Sequence, residues 1–353
     1  MTNFFKIGKY SISRNSPIYI IAEIGTNHCN GNMLMIKKMI REAKKSGANA
    51  VKFQTFIAKE LIDPNAKHAK RLNKILKNNL RWYDLLKSEE LSFKKHIQIL
   101  NYCKKIKIDF LSTPYDKESL DFLCNKMKIS AIKIASADIT NHPFLIECAN
   151  KMIPIILSTG MSNMKDVEES IKLIKKRGNN KIILMHCTSS YPTSLDDCNL
   201  RILKTFKKKF NVILGYSDHT LSHLTPILAS ALGSKVYEKH FTLNKNLPGA
   251  DHKTSFNPKQ FKEMINEIRK SEIILGSDKK KVLQSEVDNQ KKYRRSLYAN
   301  KNIRKGQKIS KGMLIAKRPA KGISPKFQNE IIGLTAKYNI DVNTLLNFKM
   351  LKK

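Results

Sequence analysis

The feature that most constrains the fold is a unit that recurs through residues 1–276: a short apolar run, a polar motif, and an amphipathic segment. The runs predict buried strands, and parallel strands need connections of helix length. The runs are Ile18–Ala22, Ala50–Phe53, Ile108–Leu111, Ala131–Ile134, Pro154–Leu157, Lys181–Met185, Val212–Leu214 and Lys235–Tyr237. About eight parallel strands can close on themselves, so the sequence predicts an α/β protein built on a (β/α)8 barrel.

The connecting segments support a barrel because they carry helical periodicity and end on glycine. Met164–Arg177 has apolar residues at helical spacing and stops at Gly178. Leu221–Leu232 and Pro258–Leu275 show the same pattern, each again followed by a glycine. Glycine readily adopts the backbone conformation that ends a helix. These segments therefore predict helices that cross from one strand to the next.

The composition changes after residue 276, which predicts a second domain. Residues 277–292 are charged and lose periodicity, as expected of a linker. Residues 293–353 then alternate short β-type runs with glycine turns, which is typical of a compact β-rich module. A module of this size is marginal by itself, so packing against the barrel or a partner subunit would stabilise it.

Composition narrows the class of protein. With 353 residues and 41% apolar content, the chain can bury a large core. It has no apolar stretch of the roughly 18 to 20 residues that a membrane helix needs, and its start lacks the apolar core of a signal peptide. We therefore expect a cytoplasmic protein with no membrane partner. The six cysteines form no Cys-x-x-Cys pair, so we expect reduced thiols rather than disulfides or a zinc ribbon.

The net charge of +37 raises the question of a nucleic-acid partner. The lysines are spread over the whole length and often occupy the polar sides of helical patterns, with little interleaving of aromatic residues. The sequence contains no nucleic-acid recognition motif. Solvated lysine faces account for the charge better, and we expect no nucleic-acid partner.

Polar residues follow every apolar run, at the edge of the barrel where such folds build their active sites. Four charged residues, Glu23, Lys52, Lys133 and Glu238, lie inside or beside β-type runs, where an unpaired charge is costly. A structural ion pair explains one such residue equally well, but four at equivalent positions favour one shared anionic ligand. Two lysines, several hydroxyls and backbone amides at strand-to-helix turns suit a small phosphorylated carboxylate.

Two histidines, His219 and His240, each come just after an apolar run. If the two runs are neighbouring parallel strands, both imidazoles lie at the same end of the sheet and can share one divalent metal with open positions for substrate. Such a metal can polarise an aldehyde oxygen or orient a water. Each histidine taken alone is more simply explained by a hydrogen bond at a strand end. The polar surroundings of the pair favour the metal.

The motifs at the strand ends resemble those of the sialic acid (N-acetylneuraminate) synthase family, and the resemblance covers nearly the whole chain. They read Ala22-Glu-Ile-Gly-Thr-Asn-His, Val51-Lys-Phe-Gln, Leu111-Ser-Thr-Pro, Ile132-Lys-Ile-Ala-Ser, Leu157-Ser-Thr-Gly-Met, His186-Cys-Thr-Ser-Ser-Tyr-Pro, Gly215-Tyr-Ser-Asp-His-Thr, Glu238-Lys-His-Phe-Thr and Lys317-Arg-Pro. The resemblance implies a catalytic TIM barrel followed by an antifreeze-like (SAF, β-clip) domain.

The same resemblance implies a reaction. In this metal-dependent reaction, phosphoenolpyruvate would condense with an open-chain N-acylated hexosamine such as N-acetylmannosamine or a related 2,4-diacetamido sugar. The products would be a nine-carbon 2-keto sugar acid and phosphate, released by C–O cleavage.

The resemblance also assigns roles by motif. His219 and His240 match the ligands of the metal, Mn²⁺ or Mg²⁺. Positions that contact phosphoenolpyruvate are matched by Lys52, Thr113, Lys133, Ser136, Ser189, Tyr191 and Ser217. Sugar-facing positions are matched by Gln54, Asp138, Asp251 and Arg318. Catalysis is assigned to Glu23, Lys52, Lys133, Tyr191 and Asp138. Arg318 matches an arginine that the C-terminal domain delivers to the other subunit's site, which implies a homodimer with a domain-swapped module.

Three residues depart from the family's pattern. Ser189 stands where bacterial sialic acid synthases commonly have asparagine, Asp138 where they have glutamate, and Lys239 where arginine is frequent. The first two match positions near the substrate, so the acceptor stays open between precursors of sialic, legionaminic, pseudaminic and other nonulosonic acids. The opening motif at Ala22 looks less like the pseudaminic branch.

The residues alone leave two other classes open. A metal-dependent hydrolase or aldolase can use the same barrel, with Lys52 and Lys133 as a Schiff-base nucleophile and its neighbour. A non-enzymatic alternative is a binding protein whose C-terminal module engages a saccharide or a nucleic acid.

Overall fold

The computed structural model describes residues 4–67 and 81–353, which fall into two compact units divided between Gly276 and Ser277. Within these residues the first unit contains a closed barrel of eight parallel strands, which confirms the predicted fold class. The strands are β3 (Tyr19–Gly25), β4 (Ala50–Thr55), β5 (Asp109–Pro114), β6 (Ile132–Ile134), β7 (Ile155–Ser158), β8 (Ile182–His186), β9 (Ile213–Asp218) and β10 (Val236–His240). They follow one another around the barrel in chain order, and β10 closes it by pairing with β3. Each strand coincides with one of the predicted apolar runs.

The barrel is preceded by a short antiparallel hairpin, β1 (Phe5–Ile7) and β2 (Tyr10–Ile12). Phe5, Ile7 and Ile12 are buried in one cluster with residues from the inside of the barrel. The hairpin therefore closes the end of the barrel at which the strands begin. The sequence predicts only an opening segment here, because three-residue strands are too short to show a period.

Helices surround the strands of the first unit. Within its described residues they span Met33–Lys45, Ala58–Leu61, Trp82–Glu89, Phe93–Ile106, Lys117–Asp121, His142–Asn150, Met164–Lys176, Ile202–Lys209, Leu224–Ala231 and Pro258–Leu275. The predicted helix ending at Leu275 has the bounds expected from its proline start, and the Asn257 side chain forms a capping box with Gln260. The helix predicted from Leu221 begins later, at Leu224, because the preceding residues form a turn in which the Thr220 hydroxyl accepts from the amide of Ser222.

Strand alternation decides which side chains enter the site. On β3, Ile20 and Ala22 pack outward against the helices, whereas Tyr19 and Ile21 belong to the cluster inside the barrel. Glu23 continues the inward series at the end of the strand. The same period of two leads inward to residues near the ends of other strands, namely Lys52, Thr113, Lys133, Ser158, Ser217 and Glu238.

The second unit has a small core of its own, which includes Leu297, Ile309 and Leu346. Its strands are β11 (Ser296–Ala299), β12 (Leu314–Lys317), β13 (Thr335–Ala336) and β14 (Leu351–Lys352), and its helices are Val287–Tyr293 and Gln328–Ile331. β11 pairs with β12, and β13 with β14, both antiparallel. Residues 277–292, where the sequence predicts a linker, contain most of the first helix. No residue of that helix is buried, so it lacks the apolar periodicity that would reveal it.

Two further observations concern membrane-spanning helices and the cysteines. Within residues 4–67 and 81–353, no helix combines the length and the apolar character that crossing a bilayer requires. All six cysteines are free thiols.

Candidate active site

A cavity of about 520 Å³ opens at the ends of the barrel strands. The predicted residues that line it are Glu23, Lys52, Gln54, Thr113, Lys133, Ser136, Ser189, Tyr191, Ser217, His219, His240 and Asp251. Asp138 lies beside it, one residue beyond the lining residue Ala137, and its carboxylate accepts a hydrogen bond from Asn141. Arg318 belongs to the second unit, where its side chain donates to the carbonyl of Tyr293.

The base of the cavity holds two lysines and two glutamates in mutual contact. Lys52 Nζ lies 2.7 Å from Glu23 Oε2 and 3.9 Å from Glu238 Oε2, and Lys133 Nζ lies 3.8 Å from Glu238 Oε1. Each side chain is almost completely buried. The register explains the contacts, because Glu23 pairs with Lys52 across β3 and β4. The four charged side chains therefore pair with one another in one buried network at the base of the cavity.

Burial and ion pairing shift the pKa values of Glu23 and Glu238 in opposite directions. Burial raises the pKa of Glu23 above its usual value, and the opposing charge of Lys52 does not cancel that effect. Burial also acts on Glu238, but the charges of Lys133 and Lys52 outweigh it and hold the Glu238 pKa below its usual range. Glu238 is then the fixed carboxylate, while Glu23 can exchange a proton near neutral pH.

The pKa values of Lys52 and Lys133 are also shifted in opposite directions. Burial lowers the pKa of Lys133, and the charge of Glu238 only partly offsets it. For Lys52 the charges of Glu23 and Glu238 outweigh burial, so its pKa is raised. Lys52 donates to Thr113 Oγ1 at 3.0 Å, and Lys133 donates to Ser158 Oγ at 2.6 Å. Both ammonium groups are thus held by hydroxyls as well as by carboxylates.

A second cluster of donors surrounds Gly160, after β7. The Gly160 amide donates to Ser136 Oγ at 2.9 Å, and Ser136 Oγ lies 3.2 Å from Cys187 Sγ. A side chain at position 160 would collide with the hydroxyls of Ser189 and Ser136, so only glycine lets these groups converge. The sequence predicts Ser136 and Ser189 but gives glycine no role, because the need for close approach arises only in the folded chain.

The two histidines meet as predicted from the pairing of their strands, with ring centroids 5.6 Å apart. The carbonyl of Thr188 lies 2.7 Å from His219 Nδ1, which fixes the proton there and leaves Nε2 as an acceptor. Burial, together with the charge of His240, lowers the pKa of His219 to about 3, so the ring is neutral. Asp251 Oδ2 lies 3.7 Å from His240 Nδ1.

These features fit a divalent metal held by the two imidazoles, of which that of His219 is neutral. Within the described residues, no group of three or more histidine, cysteine, aspartate or glutamate side chains is arranged to hold a metal ion. The protein would therefore supply only two nitrogen ligands, and oxygen atoms of substrate or water would complete the coordination.

Several lining residues are given no role by the family resemblance. They are Trp82, Tyr115, Ala135, Ala137, Ser158, Met161, Cys187 and Glu238. Ser158 lies at a polar strand end that the sequence highlights, and Glu238 is one of the four charged residues from which the sequence predicts a shared anionic ligand. Tyr115 directly follows a recognised motif. Trp82 has no such signal, because it enters the cavity from a helix and not from a strand end.

The fold and the cavity define a barrel enzyme whose site combines buried acids and lysines with a pair of imidazoles. The NeuB family model matches residues 39–280, and the SAF domain model matches residues 294–352. The chain belongs to the NeuB family, which confirms the resemblance found in the motifs.

Relatives of known name support this assignment. The N,N'-diacetyllegionaminic acid synthase of Legionella pneumophila is 40% identical over 332 residues, covering 93% of each protein. A pseudaminic acid synthase of Campylobacter jejuni is 35% identical over 339 residues, covering 95% of this chain and 96% of the relative. The solved N-acetylneuraminic acid synthetase of Leptospira borgpetersenii superposes with a TM-score of 0.72 at 32% identity, covering 82% of this chain and 95% of that one. The chain is an acid synthase of this family.

Proposed function

We propose that the enzyme condenses phosphoenolpyruvate with the open-chain form of an N-acylated hexosamine, giving a nine-carbon 2-keto sugar acid and phosphate. The observation that carries the proposal is the pairing of Lys52 and Lys133 with hydroxyls and carboxylates at the base of one cavity. Two buried ammonium groups can neutralise the carboxylate and the phosphate of phosphoenolpyruvate.

The same groups suit the bond changes. C3 of phosphoenolpyruvate attacks the sugar aldehyde carbon, and the aldehyde oxygen takes up a proton to become a hydroxyl. Water adds at C2 and loses a proton, and phosphate leaves as its C–O bond breaks. Glu23, whose pKa is raised by burial, is placed to carry a proton in these steps. The hydroxyls of Ser136 and Ser189 supply hydrogen-bond donors for the phosphate oxygens, and the Gly160 amide holds the Ser136 hydroxyl in place.

We propose a 2,4-diacetamido hexose as the acceptor, giving a legionaminic-type acid. Two relatives named N,N'-diacetyllegionaminic acid synthase are 40% and 41% identical to the chain, compared with 35% for a pseudaminic acid synthase. Two residues that depart from the pattern of the sialic acid synthases are close to the proposed substrate site: Ser189 lines the cavity, and Asp138 lies beside it.

Mass spectrometry of the products tests the function and the acceptor together. The enzyme is incubated with phosphoenolpyruvate and a panel of N-acylated hexosamines, and we expect a nine-carbon keto acid from a 2,4-diacetamido sugar. Heavy oxygen in the bridge between C2 and phosphorus should appear in the released phosphate. Label retained in the keto acid would contradict C–O cleavage, and absence of any keto acid would contradict the function.

We further propose that His219 and His240 hold Mn²⁺ or Mg²⁺, which would polarise the aldehyde oxygen of the sugar. Chelation should abolish turnover and Mn²⁺ should restore it, because two imidazoles without a carboxylate ligand hold a divalent ion loosely, and residues 4–67 and 81–353 contain no cluster of three metal-ligating side chains. His219→Ala and His240→Ala should each lose Mn²⁺ binding by calorimetry while keeping the wild-type circular dichroism spectrum. Full activity in excess chelator would refute the metal.

One observation favours a second candidate, an aldolase that forms a Schiff base. The pKa of Lys133 is lowered by burial, which favours the neutral amine that such chemistry requires. Borohydride trapping in the presence of a keto substrate separates the two functions. The condensing synthase leaves no covalent adduct, whereas the aldolase leaves a reduced adduct on Lys133 that peptide mass spectrometry detects.

A further inference from the structure

The cavity has an aromatic wall that none of the residues discussed above supplies. Trp82, the single tryptophan of the chain, lines it together with Tyr115. Trp82 is the first residue of the helix Trp82–Glu89, and Leu85 and Glu89 are the buried residues of that helix. The spacing of three and seven residues places all three side chains on one helical face. That face therefore turns toward the barrel.

Contacts hold this helix against the end of the barrel at which the cavity opens. The carbonyl of Glu89 lies 3.0 Å from His28 Nε2, in the loop that follows β3. The Glu89 side chain bonds to Thr26 in the same loop and interacts electrostatically with Asp251, which lines the cavity. The indole is thus carried by a helix anchored on barrel loops.

Burial distinguishes the mouth of the cavity from its base. Lys52 is almost completely buried, whereas Gln54, two residues further along the inward side of the same strand, is only half-buried. Trp82 and Tyr115 share that intermediate burial, as does Asp251. Trp82 therefore belongs to the outer part of the cavity, whereas Tyr115 also interacts electrostatically with Glu23 and Glu238 at the charged base.

We infer that the indole of Trp82 covers an N-acyl group of the sugar and sets the preference for N-acylated over free amino sugars. This inference rests on the proposed condensation. An acylamino group presents a flat amide and a methyl group, and an indole face packs against both, whereas the small ammonium of a free amino sugar gains only a cation–π contact that its loss of solvation offsets. One apolar contact of this kind is worth roughly 10-fold or more in kcat/KM.

Kinetics of Trp82→Leu test the inference. We expect kcat/KM for the N-acylated sugar to fall about 10-fold or more, with the KM for phosphoenolpyruvate unchanged. Trp82→Phe, which keeps an aromatic face, should retain most of the wild-type value. The matched control is Tyr83→Leu, because Tyr83, the next residue, is not part of the cavity lining among the described residues. An unchanged ratio of kcat/KM for acylated and free amino sugars in Trp82→Leu would overturn the inference.

Tryptophan fluorescence gives a second readout that needs no turnover. In the wild-type enzyme the emission should shift on titration with an N-acylated hexosamine in the presence of phosphoenolpyruvate, and stay constant with the corresponding free amino sugar. Equal responses to both sugars, or to neither, would contradict the role of Trp82. Failure of the proposed condensation and failure of this inference can be told apart. A wild-type enzyme that makes no keto acid contradicts the condensation, whereas the fluorescence titration decides independently whether the indole contacts the N-acyl group.

Discussion

At the scale of single residues, the two lysines at the base of the cavity are not equivalent. Lys52 contacts both Glu23 and Glu238, whereas Lys133 contacts Glu238 alone. Removing one partner of a buried ion pair costs about 3–5 kcal/mol because a charge is left without compensation. Lys52→Met should therefore lower the free energy of unfolding more than Lys133→Met.

Both lysine substitutions should also raise the KM for phosphoenolpyruvate more than the KM for the sugar. Urea unfolding and steady-state kinetics measure the two effects. A selective effect on the sugar would mean that the lysines serve the other half of the cavity.

Glu89 leads to a prediction about pH. Burial, and to a smaller extent the charge of Asp251, raises the Glu89 pKa from about 4.5 to about 8. The folded chain then keeps a proton that the unfolded chain releases, so Glu89 makes stability fall as the pH rises between these two values. Over the whole window the effect is on the order of 3–5 kcal/mol.

Glu89→Gln should flatten that fall and make the protein more stable than wild type at pH 8, as measured by chemical unfolding across the pH range. The control is Glu90→Gln at the neighbouring residue, whose carboxylate accepts from the amide of Ala58. An identical pH profile for wild type and Glu89→Gln would show that the Glu89 carboxyl is not protonated in the fold.

At the scale of elements, a buried network ties β9 to β10 behind the histidines. Lys239 Nζ lies 3.0 Å from Asp218 Oδ2, both side chains are fully buried, and Asp218 also accepts from Tyr237, Thr225 and the amide of Thr220. Each member of the ion pair directly adjoins a histidine of the site. The network therefore fixes the spacing of the two imidazoles as well as the pairing of the strands.

Lys239→Met should destabilise the protein by about 3–5 kcal/mol, because it leaves the Asp218 carboxylate without its charged partner. Lys239→Arg, which introduces the residue frequent in the family the motifs resemble, should retain more of the stability because it keeps the charge. Urea unfolding of the two variants measures the difference in their free energies of unfolding. Equal stabilities would indicate that the hydrogen bonds to Tyr237, Thr225 and Thr220 are sufficient for Asp218.

At the scale of the whole molecule, we propose a homodimer in which Arg318 serves the active site of the partner chain. Arg318 lies directly after β12, and its guanidinium is stacked over the ring of Tyr293 at 5.2 Å. If the arginine acts in trans, each site needs a barrel from one chain and Arg318 from the other.

Subunit exchange between Glu23→Ala and Arg318→Ala chains tests this arrangement. About half of the dimers should be mixed at equal amounts, and each mixed dimer has one site with both groups intact, so about a quarter of wild-type activity should return. Native mass spectrometry confirms that mixed dimers are present. Mixed dimers without recovered activity would refute an arginine that acts in trans.

The sequence by itself determined the barrel strands and most of the residues that line the candidate site. Its apolar runs located every barrel strand because fully buried parallel strands are largely apolar. Charged residues inside those runs identified Lys52 and Lys133, and polar residues just beyond them identified His219 and His240, because barrel sites form at strand ends.

Only the tertiary structure decided how those groups pair and what surrounds them. The contact of Lys52 with two glutamates depends on strand register, and the need for glycine at position 160 depends on how closely two serines approach. The place of Trp82 in the cavity wall depends on how its helix packs against the barrel loops. Such contacts join residues far apart in the chain, and a local pattern records the character of each residue but not the neighbour it will meet.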